Sequence, residues 1–243
     1  MKPYYDHSGI TIYNCDCREI LPTLGMFEMC VTDPPYGTQG LGGGYGRRQL
    51  HSLDGRNGRC IAGDEDLEIV KATVPLIWNA LADCSWIASF CAARRMIETA
   101  QIFSSSGFEF YGEVIWDKCS PGLGYTIRYC HESALIFRKG EAEKAADPIM
   151  SVQREAVDRV DTKSRHPHAK PLSVLMGIMA LGKGRLIDPF CGGGTSLRAA
   201  KDLGREAVGI ELDERWCELS AKRLSQEVFD FSPLSTIDHP PIP

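Results

Sequence analysis

The stretch LIDPFCGGGTSLRAA, from Leu186 to Ala200, decides the fold of this chain. A short apolar run ends at an acid, three glycines make a turn, and a helix-forming segment follows. In an α/β protein this layout is typical of a cofactor site at the carboxyl end of a strand. The glycines let a ligand approach the backbone closely, and the start of the helix can accept an anionic group.

A second acid completes the pattern. The strand VGIEL follows, and Glu211 at its end lies 19 residues after Gly192. An acid at this spacing typically binds ribose hydroxyls. Leu197 occupies the place of the third glycine in a dinucleotide site, and no Walker lysine follows, so a phosphate cradle is disfavoured. S-adenosylmethionine, a nucleoside without phosphate, suits the pattern; a plain glycine turn is the alternative.

The rest of the chain alternates between strand and helix patterns. Apolar strands such as FEMCVTD, CSWIASFCA and EAVGIEL are separated by helical segments such as DLEIVKATVPLIWNALA and KPLSVLMGIMAL. This alternation predicts an α/β fold with a mostly parallel twisted sheet and helices on both faces. Ligands in such sheets bind at the carboxyl ends of the strands. We therefore expect FEMCVTDPPYG and LIDPFCGGGTS to face one crevice.

The stretch DPPY, from Asp33 to Tyr36, provides acceptors and an aromatic platform at that edge. Pro34 and Pro35 lack backbone N–H groups and stiffen the turn. The Asp33 carboxylate and the Pro34 carbonyl can hold both hydrogens of an amino group on a planar ring, while Tyr36 stacks on the ring. Such a site favours direct attack of the amine on a sulfonium methyl. The alternative is a proline-bounded turn in which Asp33 caps and Tyr36 packs.

Length and composition predict one globular domain. The chain has 243 residues, 43% of them hydrophobic. We expect a single domain over 1–231, with a Gly/Arg-rich loop at about 38–66, a short recognition segment at about 141–165, and a proline-rich tail over 232–243. The sequence shows no transmembrane run and no secretory signal, which predicts a cytoplasmic protein. Ten cysteines without a CxxC pair predict reduced thiols and no metal site.

Two segments are locally basic although the chain carries a net charge of −5. Residues 38–59 hold four arginines against one aspartate, and residues 151–170 hold five Lys and Arg against three acids. Both are candidate phosphate-contacting segments; a solvated loop is the alternative. The candidate nucleic-acid-binding residues are Arg47, Arg48, Arg56, Arg59, Lys163 and Arg165.

The two motifs together resemble those of the DNA amino-methyltransferases, which make N6-methyladenine or N4-methylcytosine. DPPY resembles their catalytic motif and DPFCGGGTS their cofactor motif, and this order resembles the circularly permuted β group. The likeness extends to YNCDCREILPTL, RYCHESALIFRKG and HPHAKPLSVLMGIM, so it covers most of the chain. It implies the Rossmann-like methyltransferase fold, S-adenosylmethionine as cofactor, double-stranded DNA as partner, no membrane, and a homodimer.

The resemblance assigns roles to residues of this sequence. In the catalytic motif, Asp33 and the Pro34 carbonyl hold the target amine and Tyr36 stacks on a base flipped out of the duplex. Lys170 then holds the methionine end of the cofactor, Asp16 its adenine and Glu211 its ribose. The full set implied to bind the cofactor is Asp16, Lys170, Asp188, Phe190, Cys191, Gly192, Gly194, Thr195 and Glu211. For Phe190, core packing is an equal alternative.

The first residue of the catalytic motif favours adenine. In the family, DPPY occurs mostly with adenine N6 enzymes, whereas serine in the first position is commoner for cytosine N4. The short recognition segment and the long Gly/Arg-rich loop depart from the family pattern. The alternatives are a cytosine N4 enzyme, an RNA or protein-amide methyltransferase, a non-catalytic nucleic-acid-binding subunit, and a nicotinamide oxidoreductase. Asparagine in place of Asp33 would be expected for a protein-glutamine enzyme.

Overall fold

The computed structural model describes residues 1–37, 66–121, 127–142, 148–156 and 169–225. These residues form one nine-stranded sheet with helices on both faces, which confirms the predicted α/β class. The strands are β1 (Tyr5–His7), β2 (Ile10–Asn14), β3 (Phe27–Thr32), β4 (Leu81–Cys91), β5 (Glu109–Asp117), β6 (His131–Lys139), β7 (Val152–Arg154), β8 (Leu186–Asp188) and β9 (Ala207–Glu211). The helices are α1 (Cys17–Ile20), α2 (Glu68–Ala80), α3 (Met96–Ser105), α4 (Leu172–Met179), α5 (Thr195–Asp202) and α6 (Glu214–Leu224).

The strands follow the order β1-β2-β9-β8-β3-β4-β6-β5-β7. From β2 to β4 all neighbours are parallel, and β7 runs parallel to β5. β1 is antiparallel to β2, and β6 is antiparallel to both β4 and β5. The sequence between β5 and β6 contains SPGLG, which does not favour a crossover helix. Two consecutive strands without such a helix pair antiparallel.

The chain leaves the centre of the sheet in two directions. From β3 it continues to the neighbouring β4 on one side, and from β8 it continues to β9 on the other. β3 and β8 pair with each other through Met29–Leu186 and Cys30–Ile187. Their carboxyl ends therefore lie side by side at the switch point of the sheet. Crevices for ligands form at this point in open α/β sheets.

The central strands bury both faces. On β4, Ala88 and Phe90 belong to the cluster that packs against α4, α5 and α6, whereas Ile87 belongs to the cluster that packs against α1, α2 and α3. Successive strand residues point to opposite faces, so these central strands pack against both helix layers. All nine cysteines in the described residues are free. No helix within these ranges is long and apolar enough to cross a membrane.

Two short strands were absent from the prediction. β1 and β7 have three residues each and add to opposite edges of the sheet. β7 lies within the predicted recognition segment at about 141–165, so part of this segment extends the sheet. Three parts of the prediction lie outside the described residues: 143–147 and 157–165 of that segment, most of the predicted loop at about 38–66, and the tail over 232–243.

Candidate active site

The turn after β3 holds an acid and a tyrosine in contact. Asp33 follows the buried end of β3, and Pro34 is itself buried. The Tyr36 hydroxyl donates a hydrogen bond to Asp33 Oδ1 at 2.5 Å. Because the two prolines fix φ, this contact sits on a stiff backbone. The carboxylate and the half-buried ring thus share one point of the sheet edge.

Gly37 closes this turn in a conformation that favours glycine. Its φ is +63°, and a Cβ at this position would lie 2.5 Å from the carbonyl carbon of Asp66. The Arg95 guanidinium donates two hydrogen bonds to the Gly37 carbonyl, at 3.0 and 3.2 Å. The Gly/Arg-rich segment over 38–65 therefore begins and ends at two touching residues beside Tyr36.

A buried lysine contacts the acid of the catalytic motif. Lys170 lies two residues before α4 with its side chain 5% exposed, and its ammonium donates a hydrogen bond to Asp33 Oδ2. The same ammonium lies 3.1 Å from Glu132 Oε2, at the start of β6. On its far side, Glu132 Oε1 pairs with the ammonium of Lys118. The four side chains form a chain of alternating charge, hereafter the Asp33–Lys118 network.

The network fixes the ionisation of its members. Burial favours neutral Lys170, but Asp33 and Glu132 outweigh it and raise the pKa of the ammonium. Burial likewise opposes the charge on Glu132, yet Lys170 and Lys118 overcome it and lower the pKa of this carboxyl to about 2. Burial, with Asp33 and Glu132 nearby, raises the pKa of Tyr36 well above its ordinary value. At neutral pH the Tyr36 hydroxyl is therefore protonated and can donate, and Lys170 and Glu132 are charged.

Asp188 organises the glycine turn after β8. Its Oδ1 accepts a hydrogen bond from the Phe190 N–H at 3.0 Å, and its Oδ2 accepts one from the Ser196 hydroxyl. One carboxylate therefore ties the first residues of the turn to the first turn of α5. Burial raises the pKa of Asp188 to about 7, although these hydrogen bonds act in the opposite direction.

The backbone N–H groups of Cys191, Gly192 and Gly194 in the turn are already engaged. Cys191 N–H donates to the Ile210 carbonyl at 3.0 Å, and Gly194 N–H donates to the Cys191 carbonyl at 2.8 Å. Gly192 N–H donates to Glu211 Oε2 at 3.0 Å. A turn that cradles phosphate presents such groups to the ligand instead. The donor set therefore fits a nucleoside ligand that carries no phosphate, such as S-adenosylmethionine.

Gly194 and Thr195 connect the turn to α6. Gly194 has φ +72°, and a Cβ there would lie 2.9 Å from the Ser220 Cβ. Ser220 Oγ in turn donates to the Gly192 carbonyl at 2.9 Å. Thr195 Oγ1 accepts a hydrogen bond from Arg223 at 2.7 Å. Thr195 thus holds two helices together, and the close packing of α6 requires the glycine.

The acids predicted to bind the nucleoside lie on neighbouring strands. Glu211 ends β9, and its second carboxylate oxygen accepts from the Asp213 N–H at 2.8 Å. Burial raises the pKa of Glu211 despite these backbone bonds. Asp16 caps α1 and forms an ion pair with Arg18, whose hydrogen bond lowers the pKa of this carboxyl. The strand pair Asn14–Glu211 brings the two acids to the same edge.

The sequence-predicted residues thus divide into three groups. The residues of the catalytic motif and those of the cofactor motif lie on the two sides of the switch point. Phe190 packs against the core cluster on the α1–α3 face of the sheet. Lys170 contacts Asp33 of the catalytic motif, and the role at the methionine end of the cofactor that the resemblance implies for it stays a prediction. The basic candidates lie outside the described residues: Arg47, Arg48, Arg56, Arg59, Lys163 and Arg165.

Glu132 and Lys118 are the site residues that sequence reasoning missed. Lys118 follows β5 and Glu132 is near the start of β6, and the register pairs Trp116 with Glu132. Because β6 runs antiparallel, its first residues lie at the carboxyl edge of the parallel strands. Charged residues beside an apolar strand do not show, from sequence alone, whether that strand runs parallel or antiparallel to its neighbours. The described residues contain no group of three or more His, Cys, Asp or Glu that could hold a metal ion.

Known proteins show the same architecture. Solved structures with similar folds include TTHA0409 from Thermus thermophilus complexed with S-adenosyl-L-methionine, at 21% identity and a TM-score of 0.61 over 90% of this chain and 95% of that one. The PvuII DNA methyltransferase, described as cytosine-N4-specific, gives a TM-score of 0.70 at 15% identity over 93% of this chain and 89% of that one.

Sequence relatives carry related names. The Type II methyltransferase M2.DpnII of Streptococcus pneumoniae is 23% identical, covering 93% of both chains. The Type II methyltransferase M.HinfI of Haemophilus influenzae is 26% identical over 89% of this chain and 68% of its own length. The sequence model of the N6/N4 DNA methylase family matches residues 27–222, which include both motifs. The protein therefore belongs to the N6/N4 DNA methylase family, whose cofactor is S-adenosylmethionine.

Proposed function

We propose that the protein methylates the N6 amino group of adenine in duplex DNA, with Asp33 as the acceptor that holds the amine. The observation that carries this proposal is the position of the Asp33 carboxylate. It follows β3 directly, and the glycine turn follows the paired strand β8. A base held at Asp33 and a cofactor held at the glycine turn would thus share the crevice at the switch point.

The amine is activated by position and charge. The exocyclic nitrogen of adenine is a poor nucleophile because its lone pair is delocalised into the ring. The Asp33 carboxylate and the Pro34 carbonyl accept its two hydrogens and favour a pyramidal nitrogen with a free lone pair. S-adenosylmethionine supplies a methyl group on a positively charged sulfur. Asp33 also stabilises the positive charge that develops on the amine nitrogen.

Tyr36 changes partners when the base enters. Its hydroxyl donates to Asp33 Oδ1, so a target amine held at this oxygen must take over this bond. The tyrosine ring then stacks on the flipped base, which costs a few kcal/mol to extrude from the duplex. Lys170 remains on Oδ2 and keeps the carboxylate oriented.

The cofactor-binding roles follow the resemblance. Glu211 holds the ribose hydroxyls and Asp16 the adenine; the pairing of β2 with β9, which brings the two acids to one edge, supports these roles. Phe190, Cys191, Gly192 and Gly194 line the methionine portion. Asp188 and Thr195 act on the turn itself, because their side chains bind Ser196 and Arg223. The arginines of 38–59 and the basic residues Lys163 and Arg165 contact DNA phosphates.

The cellular setting is proposed from the relatives. M2.DpnII and M.HinfI are bacterial Type II methyltransferases, so a DNA-modification role in the cytoplasm of a bacterial or phage-infected cell fits this chain. A single domain over 1–231 and a homodimer remain predictions from the sequence and the resemblance.

The test is identification of the methylated base. The purified protein is incubated with S-adenosylmethionine carrying an isotopically labelled methyl group and with unmethylated genomic DNA, and the digested nucleosides are analysed by mass spectrometry. We expect labelled N6-methyladenine from the parent and a loss of about 100-fold or more in Asp33→Ala. Asp83→Ala, which removes an aspartate that is 90% exposed on β4, is the matched control and should retain the parent rate.

Cytosine N4 is the second candidate, because the PvuII enzyme described as cytosine-N4-specific has the same fold. Labelled N4-methylcytosine from the parent, lost in Asp33→Ala, would overturn the adenine assignment and keep the role of Asp33. Full activity in Asp33→Ala would overturn the catalytic role. Calorimetric titration with S-adenosylmethionine checks that the variant still binds its cofactor.

A further inference from the structure

The Asp33–Lys118 network links the proposed acceptor to three elements that neither motif contains. It runs from the end of β3 to the segment before α4, then to the start of β6 and the residue after β5. Two carboxylates and two ammonium groups alternate along it, so its net charge is zero. Lys170 is the innermost cation and lies over the Phe90 ring, 5.0 Å from the ring centroid.

The position of Lys170 creates a difficulty for Asp33. An ammonium with a side chain only 5% exposed needs anionic partners to offset its loss of hydration. If Asp33 were its one counterion, much of the negative charge of this carboxylate would be neutralised by the lysine. Asp33 would then be a weaker acceptor for the target amine. A second anion on Lys170 removes this conflict, and Glu132 Oε2 lies 3.1 Å from the ammonium.

We propose that Glu132 is a positioning residue for methyl transfer: it shares the Lys170 ammonium with Asp33 and so leaves Asp33 Oδ1 a strong, oriented acceptor for the amine. This inference rests on the proposed function, in which Asp33 holds the target amine. Lys118 holds Glu132 from the opposite side through Oε1, which fixes the carboxylate in place.

The balance of charge during the reaction leads to the same role. With S-adenosylmethionine bound, transfer would break the sulfur–methyl bond and form the nitrogen–methyl bond; the sulfur would leave as a neutral thioether, and the methylated amine would then lose one proton to water. Positive charge would therefore move from the sulfonium to the amine beside Asp33 before that proton leaves. With Glu132 present, the network is neutral and the Asp33 carboxylate faces this charge. Replacement of Glu132 by glutamine leaves the network with a net charge of +1, which opposes the charge transfer. Within the described residues, no hydrogen bond or ion pair joins Glu132 to the cofactor turn, so cofactor affinity should stay unchanged.

The experiment measures single-turnover methyl transfer with saturating DNA and S-adenosylmethionine, together with the Kd of the cofactor. We expect the rate of Glu132→Gln to fall about 10- to 100-fold, the loss typical of partners that orient a reactive group, while the cofactor Kd stays within about twofold. Glu132→Asp keeps the charge and should recover most of the rate. The matched control is Glu109→Gln, which breaks the ion pair with Arg138 at the opposite end of the same strand pair and should leave the rate unchanged.

A further variant covers the case in which Glu132→Gln does not fold. Lys118→Gln leaves the charge of Glu132 in place but removes the partner that fixes its outer oxygen. The network then carries a net charge of −1, which by itself does not oppose the transfer, so a loss of rate reports the relaxed orientation of Glu132. We expect this loss to be about 3- to 10-fold, again without a change in cofactor Kd. A parent rate in Lys118→Gln would contradict the role of the network in positioning Asp33.

The outcomes separate this inference from the proposed function. Inactive Asp33→Ala together with a parent rate in Glu132→Gln would overturn the role of Glu132 alone. A parent rate in Asp33→Ala would overturn both, because Glu132 acts through Asp33. Equal losses in Glu132→Gln and Glu132→Asp would show that charge at this position does not matter, and this result would also overturn the inference.

Discussion

Asp188 should make the stability of the protein fall as the pH rises. Its side chain is buried at the end of β8, and burial raises the pKa of this carboxyl from 3.8 to about 7. The unfolded chain loses the proton at about pH 3.8, whereas the folded protein keeps it up to about pH 7. Between these values the folded state binds more protons than the unfolded state. Its free energy of unfolding must therefore decrease from about pH 4 to about pH 7.

The size of this effect follows from the two pKa values. A difference of about 3 units corresponds to about 4 kcal/mol, since one unit is about 1.4 kcal/mol. Asp188→Asn keeps an oxygen for the Phe190 N–H but has no proton to lose. Glu132, with its pKa lowered to about 2, acts in the opposite direction and in a separate window below about pH 4.5. It contributes equally to parent and variant, so its effect cancels in the comparison.

The assay is urea unfolding of the parent and of Asp188→Asn at intervals from pH 4.5 to pH 8, with the free energies extrapolated to water. The stability of the variant relative to the parent should rise through this range by about 3 kcal/mol, the part of the total effect that falls above pH 4.5. In a second variant, Ser196→Ala, a donor that lowers the pKa of Asp188 is lost, so the loss of stability should continue above pH 7. Parallel curves for the parent and Asp188→Asn would refute the reasoning.

Two further predictions concern the turn and the basic loop. Gly194→Ala should lower the free energy of unfolding by about 2 kcal/mol or more, because alanine disfavours φ +72° and its Cβ would lie 2.9 Å from the Ser220 Cβ. Denaturant unfolding measures this change, and an unchanged unfolding midpoint would contradict the packing of α6 on the turn. Simultaneous reversal of Arg47 and Arg48 to glutamate should weaken DNA binding and reduce its dependence on salt; unchanged affinity across a salt series would remove these arginines from the DNA interface.

The sequence was informative where local chemistry and strand order act together. A strand, an acid and a glycine turn can be read from residues 186–200, and a parallel sheet places the ends of β3 and β8 at one edge whatever the details of packing. The same reasoning predicts that the two motifs meet. It needs no knowledge of register, because the direction of the strands suffices.

The charged network required information that local sequence does not carry. Glu132 reaches the edge because β6 runs antiparallel, and Lys170 reaches Asp33 because α4 packs beside β3 and β8. The sequence marks Asp188 as an acid of the cofactor motif, but it could not predict the hydrogen bonds by which its carboxylate holds the turn, from the Phe190 N–H and the Ser196 hydroxyl. The three-residue strands β1 and β7 are too short to show a period.

The contact between Gly37 and Asp66 has a consequence for how this enzyme can diversify. Arg95 fixes the first of these residues through its carbonyl, and the second caps the start of α2 through a hydrogen bond to the Glu68 N–H at 2.9 Å. The two ends of the segment over 38–65 are therefore attached at adjacent points of the fold. Doubling the length of such an insertion costs only about 0.6 kcal/mol in closure entropy. Evolution or an engineer can therefore exchange the whole inserted sequence as a cassette while Tyr36 and Asp33 keep their positions.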